Sequence, residues 1–465
     1  MWHDVLQWSL VIHVLLIGGG LLTLVLIAGM LRQDRSPAAS AAWLAFMVLV
    51  PYLGIPLYLT FGTRKLAAIH ARKARLLFEP ARPAGSPQDD PTRPFLQASG
   101  LPPPAQVDAV RFHADADEAW QSLRGLLRGS RTSIDLCVFI LADDAVGREV
   151  LEILTERAAA GVRVRLLLDG VGSFLLPRRR LRALHQAGGR SAWFVPVLHR
   201  PLRGRTNLRN HRKIALIDGR RAWSGGRNIG MDYLSPEHLS RWVDLSFEFD
   251  GPAVASYSHL FEADWSFASG EAPSQGLPPP APASDQGSSV QAIPSGPDMA
   301  QDVLHDLLVS LIADARERVV VVTPYFVPDE VLQTMLRLAA LRGVAVDIVL
   351  PRRSNHRLAD IARSRSLRRL SAAGVRVWRL PDAMLHAKAV LIDHRFALAG
   401  SANLDLRSLM LNFELMTLFR GTDEVTRLSE WVEALRQRCE PWRPRPVGAL
   451  RQTLEGLVLL AAFQL

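Results

Sequence analysis

His211-Arg212-Lys213-Ile214-Ala215-Leu216-Ile217-Asp218 and His386-Ala387-Lys388-Ala389-Val390-Leu391-Ile392-Asp393 are the two stretches on which the reading of this chain turns. Both spell His-x-Lys-x-x-x-x-Asp, and both reach an asparagine ten residues past the aspartate: Asn228 after Gly225-Gly226-Arg227, and Asn403 after Gly400-Ser401-Ala402. The run between Lys and Asp is short, apolar and closed by a polar turn, which favours a buried strand over a helix. Residues two apart on a strand share a face, so His211 and Lys213 should point one way, and His386 and Lys388 likewise. A single His-x-Lys needs no explanation beyond a strand end with two polar groups. A four-part pattern repeated at constant internal spacing is a poor match to chance, and two such faces brought together would put two imidazoles and two ammonium groups around one pocket, a phosphate site.

The repeat extends beyond the motif. The two histidines are 175 residues apart, and so are the two asparagines. Upstream of each motif an apolar strand (Ile134 to Ile140; Val319 to Phe326) leads to a helical pattern (Val146 to Ala159; Glu330 to Leu341). A Gly-Val pair follows (Gly161-Val162; Gly343-Val344), then another strand, Leu166-Leu167-Leu168-Asp169 or Ile348-Val349-Leu350. This β-α-β alternation predicts two α/β halves with covered sheets, and a period this long is a duplicated domain rather than a solenoid unit.

With 465 residues there is room for two or three domains. The formal net charge of +10 suits an anionic partner: nucleic acid, an acidic membrane surface or a phosphorylated substrate. Cys137 and Cys439 make neither a disulfide framework nor a metal spacing, and no His/Cys/Asp/Glu cluster demands a metal. Leu10 to Met30 and Ala38 to Phe61 carry no formally charged side chain, and each run exceeds the roughly 20 residues a helix needs to cross a bilayer. Met1 to Ser9 lack the basic start of a cleaved signal, so two membrane helices are expected, the second bent by Pro51, Gly54 and Pro56. Arg64, Lys65, Arg72, Lys73 and Arg75 follow them, which by the positive-inside rule keeps the remainder cytoplasmic. Pro-rich composition marks residues 79–105 and 269–296 as connectors. The expected domains are therefore a transmembrane hairpin (1–62), a basic and Pro-rich linker (63–105), an α/β domain (106–268), a linker (269–296), a second α/β domain (297–442) and an apolar tail (443–465).

The doubled motif resembles the phospholipase D superfamily. Asn207-Leu208-Arg209-Asn210, Trp242-Val243-Asp244 and Thr323-Pro324-Tyr325-Phe326-Val327-Pro328 are similar to stretches of its membrane-anchored bacterial cardiolipin synthases. The resemblance implies two phospholipase D-like α/β domains around one shared site and a metal- and cofactor-independent phosphatidyl transfer. In that reaction two phosphatidylglycerols become cardiolipin plus glycerol at the cytoplasmic face of a bacterial inner membrane. It further implies that one motif histidine becomes phosphohistidine while the other acts as acid and then base. His211 is the expected nucleophile and His386 the expected acid/base, with Lys213, Lys388, Asn228 and Asn403 on the phosphoryl oxygens. Asp244 and Glu414 sit where that family carries the carboxylates that orient the histidines, and by analogy they cross over, Glu414 to His211 and Asp244 to His386. Ser401, Tyr325 and Arg209 are candidate substrate contacts, whereas Asp218 and Asp393 close a strand at a turn and are expected to be structural. The first motif departs from the family's Gly-Ser-x-Asn in carrying Gly226 where the second has Ser401. Hydrolysis to phosphatidic acid and use of phosphatidylethanolamine as donor stay open, as does the place of the C-terminal tail, at the interface or on the core. A nucleic-acid partner is disfavoured by the apolar N-terminus and by the lack of aromatic clusters on basic strands.

Overall fold

The computed structural model describes residues 8, 17–20, 24–28, 37–61, 73, 76, 92–195, 208–235, 242–272, 288–299 and 301–460. The chain divides into two units: Met1–Ala67 with Leu198–Asn207, and Ala68–Val197 with Leu208–Leu465.

The larger unit contains both halves of the repeat. β1 (Ala105–Gln106), β2 (Val110–His113), β3 (Ser133–Val138), β4 (Arg163–Asp169), β5 (Arg190–Phe194), β6 (Ile214–Ile217), β7 (Arg221–Gly225) and β8 (Ser246–Asp250) precede the second connector. After it come β9 (Ser289–Ser295), β10 (Arg318–Val322), β11 (Phe326–Val327), β12 (Ala345–Pro351) and β13 (Arg376–Leu380). β14 (Ala389–Ile392), β15 (Phe396–Gly400), β16 (Leu404–Asp405), β17 (Glu414–Phe419) and β18 (Glu440–Pro441) complete the set. One sheet runs β2-β8-β7-β6-β3-β4-β5 and the other β1-β9-β17-β15-β14-β10-β12-β13-β18. The same six-strand order, β8-β7-β6-β3-β4-β5 and β17-β15-β14-β10-β12-β13, therefore occurs in both halves. β3 lies parallel to β4 and antiparallel to β6, as β10 does to β12 and β14. β3 is buried along its whole length and β10 from Val319 to Val322, because helices cover both faces of the sheet. The duplicated α/β expectation holds.

The two motif strands start at the carboxyl ends of the parallel strands, since Ile214 pairs with Cys137 at the end of β3 and Ala389 with Val322 at the end of β10. This end of an open α/β sheet is where ligands bind, because the loops there are free of ladder hydrogen bonds. The opposite ends are tied down by the motif aspartates. Asp218 and Asp393 take left-handed φ values of 55° and 51°. Asp218 accepts from the N–H groups of Arg131, Thr132 and Ser133, and Asp393 from those of Arg316, Glu317 and Arg318. Each carboxylate thus caps the entry to the neighbouring central strand, far from the histidines.

In the smaller unit the second apolar run departs from expectation. It is not one bent helix but two, Pro37–Leu49 and Pro51–Phe61. They fold back on each other: the rings of Trp43 and Tyr58 lie 5.4 Å apart, and a Cβ on Gly54 would stand 2.6 Å from the Phe46 carbonyl oxygen. Pro51 cannot donate to the first helix but fits the first position of the next one, so the reversal occurs there. At about 1.5 Å per residue these helices are about 20 and 16 Å long. Among the described residues no helix is long and apolar enough to cross a membrane. Most of the first run, and the basic cluster apart from Lys73, lie outside the described residues.

Asp393→Ala removes three backbone hydrogen bonds and places alanine at positive φ. We expect a loss of about 2 kcal/mol in folding stability, read from a denaturant midpoint, while anion binding at the site is retained in the folded fraction. An unchanged midpoint would refute the capping role.

Candidate active site

The halves meet through short main-chain bridges beside each motif. Asn210 pairs with Phe413, and Val243 with Leu385. His211 N donates to Phe413 O at 2.8 Å, and His386 N donates to Val243 O at 2.7 Å. Each histidine is therefore held by the main chain of the other half, one residue away from that half's carboxylate. Behind these bridges Phe112, Phe247 and Phe419 pack edge to face between the sheets.

The side chains repeat this crossing. His211 Nδ1 lies 2.9 Å from Glu414 Oε2 and 3.2 Å from Ser401 O, and His386 Nδ1 lies 2.6 Å from Asp244 Oδ2. A carboxylate and a carbonyl can only accept, so Nδ1 carries the proton in both rings, and Nε2 is left as the reactive nitrogen. Lys213 Nζ donates to His211 O at 2.7 Å, and Lys388 Nζ lies 2.8 and 3.1 Å from the ring nitrogens of His386. The motif histidines, lysines and carboxylates are all buried.

Ser401 does not face the phosphate space. Its Oγ donates to Glu414 Oε2 at 2.6 Å and accepts from Leu415 N at 2.9 Å, so it holds the carboxylate that holds His211. The departure at Gly226 has the same origin. A Cβ there would stand 2.2 Å from Asp244 Oδ1. The shorter Asp244 occupies the space a serine would need and takes its own support from Leu245 N at 2.8 Å. Asn228 Oδ1 accepts from Ile140 N at 3.3 Å, and its side chain also bonds Tyr233. Asn403 Nδ2 donates to Ser408 Oγ at 3.2 Å.

Arg209 is also turned inward: Nη1 donates to Val195 O at 3.0 Å and lies 3.8 Å from Asp169. Its guanidinium supports the loop beneath His211 rather than lining open space. Tyr325 donates to Asn355 Oδ1 at 2.5 Å and stacks edge-on against His356.

Three aromatic walls went unread in the sequence. The Phe139 ring lies 4.7 Å from that of His211, and those of Tyr233 and Trp242 each lie 5.2 Å from that of His386. Phe139 and Tyr233 carry no sequence signal but position, whereas Trp242 stands in the family-like stretch Trp242-Val243-Asp244. Arg227, the variable residue of the first Gly-Gly-x-Asn, is buried and donates to His113 O and Ala114 O at 2.7 and 2.6 Å.

This burial sets the electrostatics. Desolvation pulls His211 down to about 4 against the pull of Glu414, and His386 down to about 3, with Lys388 adding to the effect. Burial likewise lowers Lys213 to about 7 and Lys388 to about 8. Burial works to raise the Asp244 carboxyl, but Lys388 and His386 outweigh it and hold it below the usual range. The lysine of each motif also acts on the histidine of the other, so the four groups share one field. An anion entering that field relieves the repulsion and favours every protonated form.

A pH dependence follows. Above about pH 8 the free protein has lost charge from both lysines, so anion binding must take up protons and must weaken as pH rises. We expect sulfate, which does not titrate here, to bind with proton uptake at pH 8, read by calorimetry in buffers of different ionisation enthalpy, and more weakly at pH 9 than at pH 7. Buffer-independent heats and a flat affinity would contradict the lowered lysines.

Comparison with known proteins places this arrangement. The family model described as "Cardiolipin synthase, PLD-like domain" matches residues 123–265 and 308–436, one match per half. A second, "Phospholipase_D-nuclease N-terminal", matches residues 21–62. The chain is 35% identical over 439 residues to cardiolipin synthase A of Pseudomonas aeruginosa, covering 90% of this chain and 89% of that one. It is 31% identical over 452 residues to cardiolipin synthase of Geobacillus thermodenitrificans, covering 92% and 90%. Among solved structures, phosphatidylserine synthase of Haemophilus influenzae superposes with a TM-score of 0.63 at 16% identity, over 81% of this chain and all of that one, and shares the fold. Since the first model covers more than half of the chain and these relatives match about nine-tenths of it, the chain belongs to the cardiolipin synthase family of PLD-like domain proteins.

Proposed function

We propose that this protein is a cardiolipin synthase that moves a phosphatidyl group from one phosphatidylglycerol to another through a phosphohistidine and releases glycerol. The observation that carries it is the crossed support of the histidines, His211 by Glu414 and His386 by Asp244, which leaves both Nε2 atoms for chemistry while each motif's lysine acts on the other motif's histidine. His211 Nε2 attacks phosphorus, and the bond from phosphorus to the glycerol oxygen breaks. His386 supplies the proton that the leaving alkoxide takes. In the second step His386 accepts the proton of the incoming phosphatidylglycerol hydroxyl, whose oxygen attacks the phosphohistidine and frees His211. Lys213 and Lys388 balance the charge on the phosphoryl oxygens, and such fixed charges in a dry site are worth more than in water. The phosphodiester anion itself makes the chemistry possible: the histidines are neutral in the free site, and its charge offsets the burial and the lysine repulsion that keep His386 unprotonated. The cognate histidine partners are named by geometry; the assignment of attack to His211 rests on resemblance.

The chain is read as membrane-anchored, with its catalytic body on the cytoplasmic side. Supporting this, the helical reversal presents Leu49 and Tyr52, 79% and 89% exposed, at its tip. Such residues suit lipid better than water. The C-terminal helix Ala449–Leu460 serves both of the roles open to the tail. Val458 and Leu459 pack on Val327 and Ala362, and Glu455 pairs with Arg368 and Arg451, while Leu450, Leu454 and Leu457 form an exposed stripe. A stripe of that kind lies in a bilayer interface.

Purified protein in phosphatidylglycerol vesicles without divalent metal is expected to yield cardiolipin and an equal amount of glycerol. His211→Ala and His386→Ala should each lower the rate by roughly a thousandfold or more, and the acid-labile phosphoryl group trapped in wild type should map to His211. Phosphatidic acid as the main product would replace the transferase with a hydrolase, and a label on His386 would exchange the two roles. Leu450→Glu with Leu454→Glu and Leu457→Glu should weaken vesicle binding with melting temperature unchanged; unchanged vesicle binding would remove the interfacial helix.

A further inference from the structure

Arg212, between His211 and Lys213, points to the opposite side of the chain, away from the phosphate space. There it is wholly buried, with Nη1 2.8 Å from Asp264 Oδ1, Nη2 3.1 Å from Asp298 Oδ2, and Nε donating to Glu414 O at 3.1 Å. The fourth charge of this cluster comes from far away in sequence. Lys73 is 2% exposed; its Nζ pairs with Asp264, lies 2.6 Å from Asp298 Oδ2, and stands 4.3 Å from the centre of the Phe413 ring. Leu76 N donates to Asp298 O at 3.2 Å, so the segment is held by main chain as well.

Asp264 lies on the helix Val254–Ser269 of the first half, and Asp298 follows β9 of the second. Each cation therefore touches one carboxylate from each half, and two positive charges balance two negative ones. Asp264 also accepts from Asn210 Nδ2 at 2.8 Å. Asn210 and Arg212 are the residues immediately before and after His211, so one carboxylate holds the side chains of both neighbours of that imidazole. Phe413, under the Lys73 ammonium, is the residue whose carbonyl accepts from His211 N. Without Lys73 this water-free cluster keeps an unbalanced negative charge, which must be relieved by a shift of the groups that surround it.

We propose that Lys73 is a positioning residue for His211: it completes a buried four-charge cluster that fixes the main chain around the reactive imidazole and joins the segment following the apolar N-terminus to the active site. The proposal rests on His211 being a reacting group, as the preceding section reads it. Lys73 touches no substrate and acts through Asp264, Asp298 and Phe413.

The test uses the full chain and compares Lys73→Met, Lys73→Arg and the charge-balanced Lys73→Met/Asp298→Asn. Each is assayed for cardiolipin formation and, separately, for cleavage of a water-soluble aryl phosphodiester, so that loss of positioning is read whatever the lipid product is. Lys73→Met should lower kcat by about tenfold to a hundredfold in both assays with little change in KM, the cost of a reacting group displaced by about an ångström. Lys73→Arg should stay near wild type, and the double variant should regain most of what the single one loses. The charged groups facing His211 are Glu414, Lys213 and Lys388. An added negative imbalance behind it should move the acid limb of kcat/KM to higher pH in Lys73→Met and back again in the double variant. If Lys73→Met fails to fold, recovery of both folding and rate in the double variant supports the proposal, and recovery of folding alone overturns it. A kcat within twofold of wild type, or a loss that follows only the folded fraction with the pH profile unmoved, overturns it too. Wild-type cleavage of the aryl diester without cardiolipin formation would count against the proposed function and leave this test intact.

Discussion

Glu414 and His211 come from different halves of the duplication, as do Asp244 and His386, and the two hydrogen bonds between them at 2.9 and 2.6 Å set the terms for everything around the site. A carboxylate on Nδ1 fixes the tautomer and aims Nε2, so neither half alone can present a usable imidazole. The halves must therefore pack closely and in one register. Main-chain bridges at Asn210–Phe413 and Val243–Leu385 supply that register one residue from each partner. The Phe112–Phe247–Phe419 cluster supplies the apolar contact that brings the sheets together.

Packing so many ionisable groups in a dry crossing is expensive, and the magnitudes indicate what it achieves. At about 3 Å and an effective dielectric constant near 20, one ion pair is worth about 5 kcal/mol, while the desolvation of each ion costs several kcal/mol. The cluster of Lys73, Arg212, Asp264 and Asp298 is therefore close to neutral for stability. Its effect is to exclude other arrangements, because any shift that separates one pair leaves a buried charge alone. On the other side of the same strand two lysines face two carboxylates across histidines that burial keeps neutral, so an entering anion is balanced by protons taken up there. Burial lowers the protonated forms there, and a phosphodiester restores them. The alternation of side chains along His211-Arg212-Lys213 thus separates a layer of fixed charges from one whose protonation the substrate sets.

The duplicated halves also depart from one another in a way that packing explains. Ser401 steadies Glu414 from the side, whereas Gly226 makes way for Asp244, one methylene shorter and supported by Leu245 N instead. The pairs Ser401–Glu414 and Gly226–Asp244 are alternative solutions to holding a carboxylate against an imidazole. In both, the residue after the glycine that ends the strand serves the carboxylate rather than the substrate.

The sequence by itself determined the duplication, the strand character of the motif segments, the shared face of each His-Lys pair and the turn role of Asp218 and Asp393. These follow from local periodicity and from spacing, which a chain carries without being folded. Only the tertiary structure decided which side each remaining polar residue serves. Arg209, a candidate substrate contact by its sequence, and Arg212, one of the motif's unassigned positions, are buried in ion pairs, because charge patterns on a strand do not reveal what packs behind it. Lys73 looked like one more positive charge beside a membrane segment, and nothing local marks Phe139 and Tyr233 as neighbours of the histidines. The Pro51 bend was legible, but a full reversal required Gly54, without a side chain, to let its helix come close to the Phe46 carbonyl. Contacts between residues distant in the chain depend on how elements pack, and that is a property of the whole fold, not of any stretch within it.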